Sequence, residues 1–252
     1  MTNDLPMKSA TVLPTVRIGV QGVRKNVDLD SEFWAINWFD RRFEKLYDFY
    51  NLLAWPMVKK AGARVLFKGK LLTRLEGTVQ LEREALLIVT YPNVDNFLAM
   101  LSDLKFQMIG MLREIAVSKF VFGFMDRVGE HELPSSKARS YRGGNKYLVH
   151  HFKVRNKGSE QDFEKEVGLT GILDAAEVHG GIRSLFAGTT KARVGVVKAV
   201  DKFHAGRFFM EGMLVWEADK ESELREFWKS EASLIFRQSL SMEYAGLFKR
   251  IL

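Results

Sequence analysis

The 252-residue chain contains no cysteine. That absence removes disulfides, thiolate nucleophiles and cysteine metal sites together, and makes a reducing cytoplasm the expected compartment. Histidine is scarce, five in all, and no HxH, HxxxH or HExxH spacing occurs. A metal site needs ligands converging from several elements, so none is expected. Phosphate-cradling glycine loops and a Ser-His-Asp signature are also missing. No apolar run is long and clean enough to cross a bilayer: the most apolar stretch, residues 106–125, is broken by Arg113, Glu114 and Lys119. The start, MTNDLPMKSA, has no basic region followed by an apolar one, so export is not expected.

What is present is globular. Hydrophobic residues make up 46% and charged residues 27%, enough apolar chain for a substantial buried core. The net charge of +7 raises the question of nucleic acid, but bases and acids are mixed almost everywhere. Only the segment SSKARSYRGGNK at 135–146 is basic throughout, and it reads as a solvated strap between domains, so nucleic acid is not expected as a partner.

The segment from 83 to 128 organises the rest. Residues 84–91 are almost continuously apolar with Ile88 and Val89, as in a strand covered on both faces, and Tyr91-Pro92 ends it. Asn93 caps a helix carrying Phe97, Met100 and Leu101 on one stripe. Before it, residues 15–23 alternate as a first strand, and Asp30 caps a long helix with Ile36, Phe39, Phe43, Leu46, Tyr50 and Leu53 in period. Pro56 is expected to end or kink that helix near 54–55, leaving Trp34, Trp38 and Tyr47 on a second aromatic surface. Residues 64–75 form a strand that turns at Glu76-Gly77. The order is β-α-β-β-α-β, a ferredoxin-like unit.

Residues 129–145, with Pro134 and Gly143-Gly144, are the main compositional break, and the same order recurs beyond it. Strands are expected at 146–155, 182–197 (bulged near Gly188), 208–218 and 242–252, with helices at 159–179 and 219–240. The domain reading is an extended terminus over 1–14, one unit over 15–128, a linker, and a second unit over 146–252, with the halves a diverged repeat. The fold class is α+β.

Alternation then divides the strand faces. Tyr147, Val149 and His151 turn to an interior and Leu148, His150, Phe152 and Val154 to helices; Phe209, Glu211, Met213 and Val215 turn inward and Met210, Leu214 and Trp216 outward. His151 and Glu211 are expected side by side on adjacent strands, where a carboxylate would orient an imidazole acting as general base. The bland alternative is a structural buried pair. Arg17, which could hold an enolate or phenolate oxygen, and Gln21 take the corresponding inward positions of the first unit. Tyr91, Tyr147, Phe209 and Met213 are candidate ligand contacts, with His204 in a loop that could cover them.

The residues Tyr91-Pro92, FLAMLSD at 97–103, Phe106-Gln107 and Arg113 resemble the dimeric α/β-barrel superfamily, and within it a small uncharacterised bacterial family. Leu104 stands where that family usually has proline and Leu112 where a histidine often precedes the arginine; the likeness covers about residues 60–128. The resemblance implies two ferredoxin-like units laid face to face around a pocket for a small, mostly apolar molecule, closed within one chain or with a second. It leaves the chemistry open, since the superfamily holds cofactor-free monooxygenases, isomerases, cyclases, ligand sensors and haem enzymes. No proximal-histidine pattern of the haem members is found.

The reading drawn from the sequence is an enzyme acting without metal or cofactor on a small hydrophobic or aromatic molecule, by proton transfer or oxygenation, with His151 as base, Glu211 orienting it and Arg17 polarising an oxygen. A non-catalytic ligand-binding or assembly protein is the alternative, and a haem-binding member a second one. Residues 106–125 carry more apolar surface than one helix face can bury, which points to a homo-oligomer through that region.

Overall fold

A computed structural model describes residues 32–127, 146–155, 169–179, 181–192 and 211–251. The first unit comprises β1 (Phe33–Arg41), α1 (Glu44–Lys60), β2 (Arg64–Glu76), β3 (Ala85–Tyr91), α2 (Val94–Ser102), α3 (Leu104–Ala116) and β4 (Val117–Arg127). The second comprises β5 (Lys146–Val154), α4 (Leu169–Val178), β6 (Arg183–Ala192), β7 (Gly212–Ala218), α5 (Glu221–Lys229), α6 (Glu231–Gln238) and β8 (Leu240–Arg250).

Each unit lays its strands in the ferredoxin-like order, β4-β1-β3-β2 and β8-β5-β7-β6, and all pairings are antiparallel. The two sheets then join at both edges, β2 to β8 and β4 to β6, so a single chain closes an eight-stranded barrel. Closure leaves no open edge. Three apolar clusters follow from the alternation along the strands: one under α1–α3, one under α4–α6, and one inside the barrel.

The start of the first unit corrects the sequence reading. Residues 33–41, expected in the first half of a long helix, are strand β1, paired with β3 and β4. Their apolar residues occupy both faces: Phe33, Ala35 and Phe39 turn to the helices, and Trp34, Ile36 and Trp38 to the interior. A segment apolar on both sides satisfies a helical spacing by coincidence. The expected strand at 15–23 lies outside the described residues. α1 begins at Glu44 and runs through Pro56 to Lys60 instead of stopping before the proline. Pro56 sits on the exposed side, where the carbonyl it frees can bond to water, while Tyr47, Tyr50 and Ala54 anchor the buried side.

Elsewhere local chemistry sets the boundaries. Asn93 caps α2 by accepting from Asn96 N at 2.8 Å. Asp103 ends α2 and starts α3, its carboxylate accepting from Lys105 N at 2.8 Å. The second unit repeats this break: the single helix expected over 219–240 is two, divided at Ser230, whose Oγ accepts from Ser233 N and donates to Phe227 O. Gly77 closes β2 at φ +92° against the backbone of β8, where a Cβ would stand 2.9 Å from Glu243 O. Strand β6 carries its register shift against β7 between Ser184 and Phe186, earlier than the Gly188 position expected for a bulge. No helix among the described residues is long and apolar enough to cross a membrane.

Candidate functional site

The barrel interior is lined mainly by rings. Trp38 from β1 stands edge-on to His151 from β5, with centroids 4.2 Å apart, and also meets Tyr244 at 5.4 Å and Phe248 at 5.8 Å. Further along, Phe67 meets Tyr147 at 4.9 Å and Trp34 meets Phe186 at 6.1 Å. All of these rings are buried, and each pair joins one unit to the other across the interior. Space for them comes partly from Gly246, where a Cβ would lie 2.7 Å from Leu71 and 3.3 Å from Tyr244 Oη.

His151, 4% exposed, faces inward as expected, along with Tyr147, Val149, Met213 and Val215. Burial pushes its pKa down to about 3, with a smaller contribution from neighbouring His150, so the imidazole is neutral over the ordinary pH range. Its cross-strand neighbours in register are Met213 on β7 and Tyr244 on β8. Glu211 is therefore not its lateral partner: the Glu211 carboxylate turns to the end of β5 and accepts from Val154 N at 3.1 Å. Tyr147 Oη donates to Glu217 Oε1 at 3.0 Å, and burial, with Glu217 beside it, holds that phenol above its ordinary range.

Tyr91 lies on the other face of its sheet. It stacks on Phe33 at 5.5 Å and meets Phe97 edge-on at 4.9 Å, because β3 turns Leu86 and Ile88 into the barrel and Ala85, Val89 and Tyr91 to the helices. Arg17, Gln21, His204 and Phe209 lie outside the described residues.

Three further groups belong to this region. Trp38, expected on a helix, is on β1. Tyr244 was legible from alternation along SMEYAGLFKR, had faces been assigned there. Among the described residues nothing hydrogen-bonds its buried hydroxyl or the buried Trp34 Nε1. Burial, and then Glu82, raise the Tyr244 pKa, keeping it a neutral donor. Arg83, wholly buried, closes the same end of the barrel by donating to Lys119 O (3.0 Å), Gln80 O (2.9 Å) and Glu82 O (2.6 Å). The carbonyl of Lys119 belongs to a residue with φ +47°, near the β1–β4 register shift at Trp38/Asp40. No local sequence pattern marks an arginine between a short turn and a strand for that role.

Among the described residues, both histidines of β5 are packed against other rings, and no slot of haem width is outlined beside either. An axial histidine presents a free ring nitrogen to the iron, with a wide slot beside it. His151 has Trp38 against its ring, and Trp38 in turn contacts Tyr244 and Phe248. His150 donates to Glu243 and is walled by Trp228 and Phe236. Among the described residues no three His, Asp or Glu converge as metal ligands.

Residues 33–122, β1 through most of β4, match a family model described as "Domain of unknown function (DUF1330)". No curated protein matches the chain. Among solved structures, an anthrone oxidase-like protein is similar at 9% identity and TM-score 0.53, covering 90% of this chain and 94% of the other. A protein of Lactobacillus acidophilus NCFM, named only provisionally as a monooxygenase, gives 8% identity and TM-score 0.50 over 87% and 94%. A variant of chlorite dismutase from Candidatus Nitrospira defluvii gives 9% and 0.50 over 90% and 92%. The chain has the dimeric α/β-barrel fold. At these identities the likeness extends to the fold alone.

Proposed function

We propose that this protein acts on a small hydrophobic or aromatic molecule inside the barrel, by metal-free proton transfer or cofactor-independent oxygenation. The reading rests on one observation: a buried imidazole and a buried hydroxyl without a hydrogen-bond partner among the described residues share one aromatic enclosure. A neutral imidazole is already in the form that accepts a proton. Burial disfavours the charged form of His151, and a substrate enolate or phenolate created by the transfer supplies a counter-charge to it. Tyr244 Oη is the donor for the substrate oxygen on which that charge develops. Trp38, edge-on to the ring, orients it in place of Glu211, and Arg17 is retained as the polarising cation. In the oxygenation reading, the electron-rich anion is the species that meets dioxygen. The first unit is read as a member of the small bacterial family that the sequence resembles.

The names of two fold relatives, an anthrone oxidase-like protein and a monooxygenase, suggest the first assay: anthrone and a panel of phenols under air, followed by product absorbance and oxygen uptake. His151→Ala lowers kcat by about a hundredfold, the usual contribution of a positioned base, while Tyr244→Phe chiefly raises KM. Unchanged turnover in His151→Ala with weaker binding would transfer the site to the non-catalytic reading.

The expected homo-oligomer narrows to α3. Phe106, Ala116, Val117, Phe120, Phe122, Phe124 and Met125 are buried, but Leu104, Met108, Met111 and Ile115 form an exposed stripe at helical spacing. Met108→Glu lowers the sedimenting mass of the wild-type species; a wild type that sediments as a monomer at every concentration removes this part of the proposal.

A further inference from the structure

The helix layer of the first unit ends in an apolar outer surface that involves two helices. On α1, Phe49, Leu52, Leu53 and Trp55 are between 37% and 70% exposed, while Tyr47, Tyr50 and Ala54 on the other side of the helix are buried against the sheet. On α3, the exposed stripe from Leu104 to Ile115 lies opposite Phe106 and Ala116, which are buried in the same way. The two exposed surfaces are neighbours. Arg42 N and Phe43 N donate to Ala116 O at 2.8 and 3.0 Å, so α1 begins where α3 ends. The helices pack side by side and run in opposite directions, as β1 and β4 do.

Size and charge say what this surface fits. Taking about 100 Å² for each half-exposed large side chain, the four on α1 and the four on α3 offer on the order of 800 Å². That exceeds the largest apolar patch of an ordinary monomer, about 300–600 Å², and matches what each partner gives to a stable dimer, about 800 Å². The helices of the second unit, among the described residues, expose only Val178, Leu234 and Ile235 as large apolar side chains. Barrel closure has already used every strand edge, so another copy has no sheet to extend. Exposed charges on α1 are of both signs: Glu44, Lys45 and Asp48 near its start, Lys59 and Lys60 at its end. A mixed margin of this kind suits self-pairing better than a partner of one charge or an anionic bilayer.

We infer that the α1–α3 face pairs with the same face of a second copy of this chain in a closed, two-fold dimer. The inference rests on the α3 oligomer proposed above and adds two things to it: α1 is half of the interface, and association stops at two chains, because a face that binds itself is used up in doing so. It is independent of the barrel chemistry, being on the opposite side of the sheet.

Sedimentation equilibrium of the full-length protein over about a hundredfold range of concentration tests this, with Leu52→Glu on α1 as the probe and Ile235→Glu on α6 as the control of similar exposure. The wild-type mass rises to that of two chains and stays there. Leu52→Glu raises the dissociation constant at least about tenfold, since a carboxylate is then buried in an apolar contact, and Ile235→Glu leaves it unchanged. Both substitutions are at exposed positions, so folding is retained. A dimer that Met108→Glu dissociates but Leu52→Glu does not would overturn the inference and leave the α3 contact standing, whereas a wild type that is monomeric throughout removes both. A mass that keeps rising beyond two chains would overturn the two-fold closure. Monomeric protein that cosediments with anionic lipid vesicles, and loses this in Leu52→Glu, would assign the face to a membrane surface and overturn it as well.

Discussion

His150 and His151 are consecutive on β5 and both almost fully buried, yet the pleat sends them into opposite surroundings. His150 enters the helix layer, donates from Nε2 to Glu243 at 2.9 Å and meets Trp228 edge-on at 4.9 Å. Glu243 also accepts from Arg237, whose guanidinium lies 4.1 Å over Trp228 and reaches across to Glu76 on β2 at 2.6 Å. His151 enters the barrel, where Trp38 is its ring neighbour and a second histidine its main charged influence. Burial depresses both imidazoles, but Glu243 opposes the fall for His150. One histidine is part of an ion network tying the two units together; the other is held neutral in an aromatic chamber. The difference shows that burial acts on an imidazole together with its partners: Glu243 works against the desolvation of His150 and so sets the two apart.

The largest effect separating the two is pH. With its folded pKa at about 3 and an unfolded value near 6.5, His151 binds a proton in the unfolded chain that the native state refuses, so stability falls as pH drops through that interval, by on the order of 5 kcal/mol in total. His150 and Glu243, both depressed, act in the same direction, so the contribution of His151 is the part that disappears in His151→Phe. Urea unfolding at pH 6.5, 5.5 and 4.5 measures it, and equal slopes in the two proteins would erase the contrast. Next is Glu243→Ala, which strips the acceptor from a buried imidazole and from Arg237. It costs about 3 kcal/mol by the same measurement, and a loss below about 1 kcal/mol would mean that the helix-side histidine needs no partner. The smallest is Glu76→Gln. The Glu76 side chain is 43% exposed, so its ion pair across the units is worth about 0.5 kcal/mol and fades in high salt.

Face assignment was the most legible feature of the sequence, because alternation on β5 and β7 needs only the identity of successive residues. Leu148 and Leu214 lie under helices and Val149 and Met213 inside, as read. Register was not legible, since it depends on turns and bulges between strands rather than on the strands themselves. A displacement of two residues separates Glu211 from the position opposite His151, which Met213 occupies. β1 was obscured for a different reason: aromatic residues on both of its faces imitate a helical stripe.

The seam between β2 and β8 joins residues that are far apart along the chain, with Arg250 reaching the carbonyl of Leu66 at 2.9 Å. Sequence separations of that size make the last closure slow relative to the hairpins within each unit. Until β8 arrives, β2 has an unpaired edge with Leu66 and Leu71 on it, so a growing chain on the ribosome passes through a stage at which its aggregation hazard is greatest, and chaperone dependence should concentrate there.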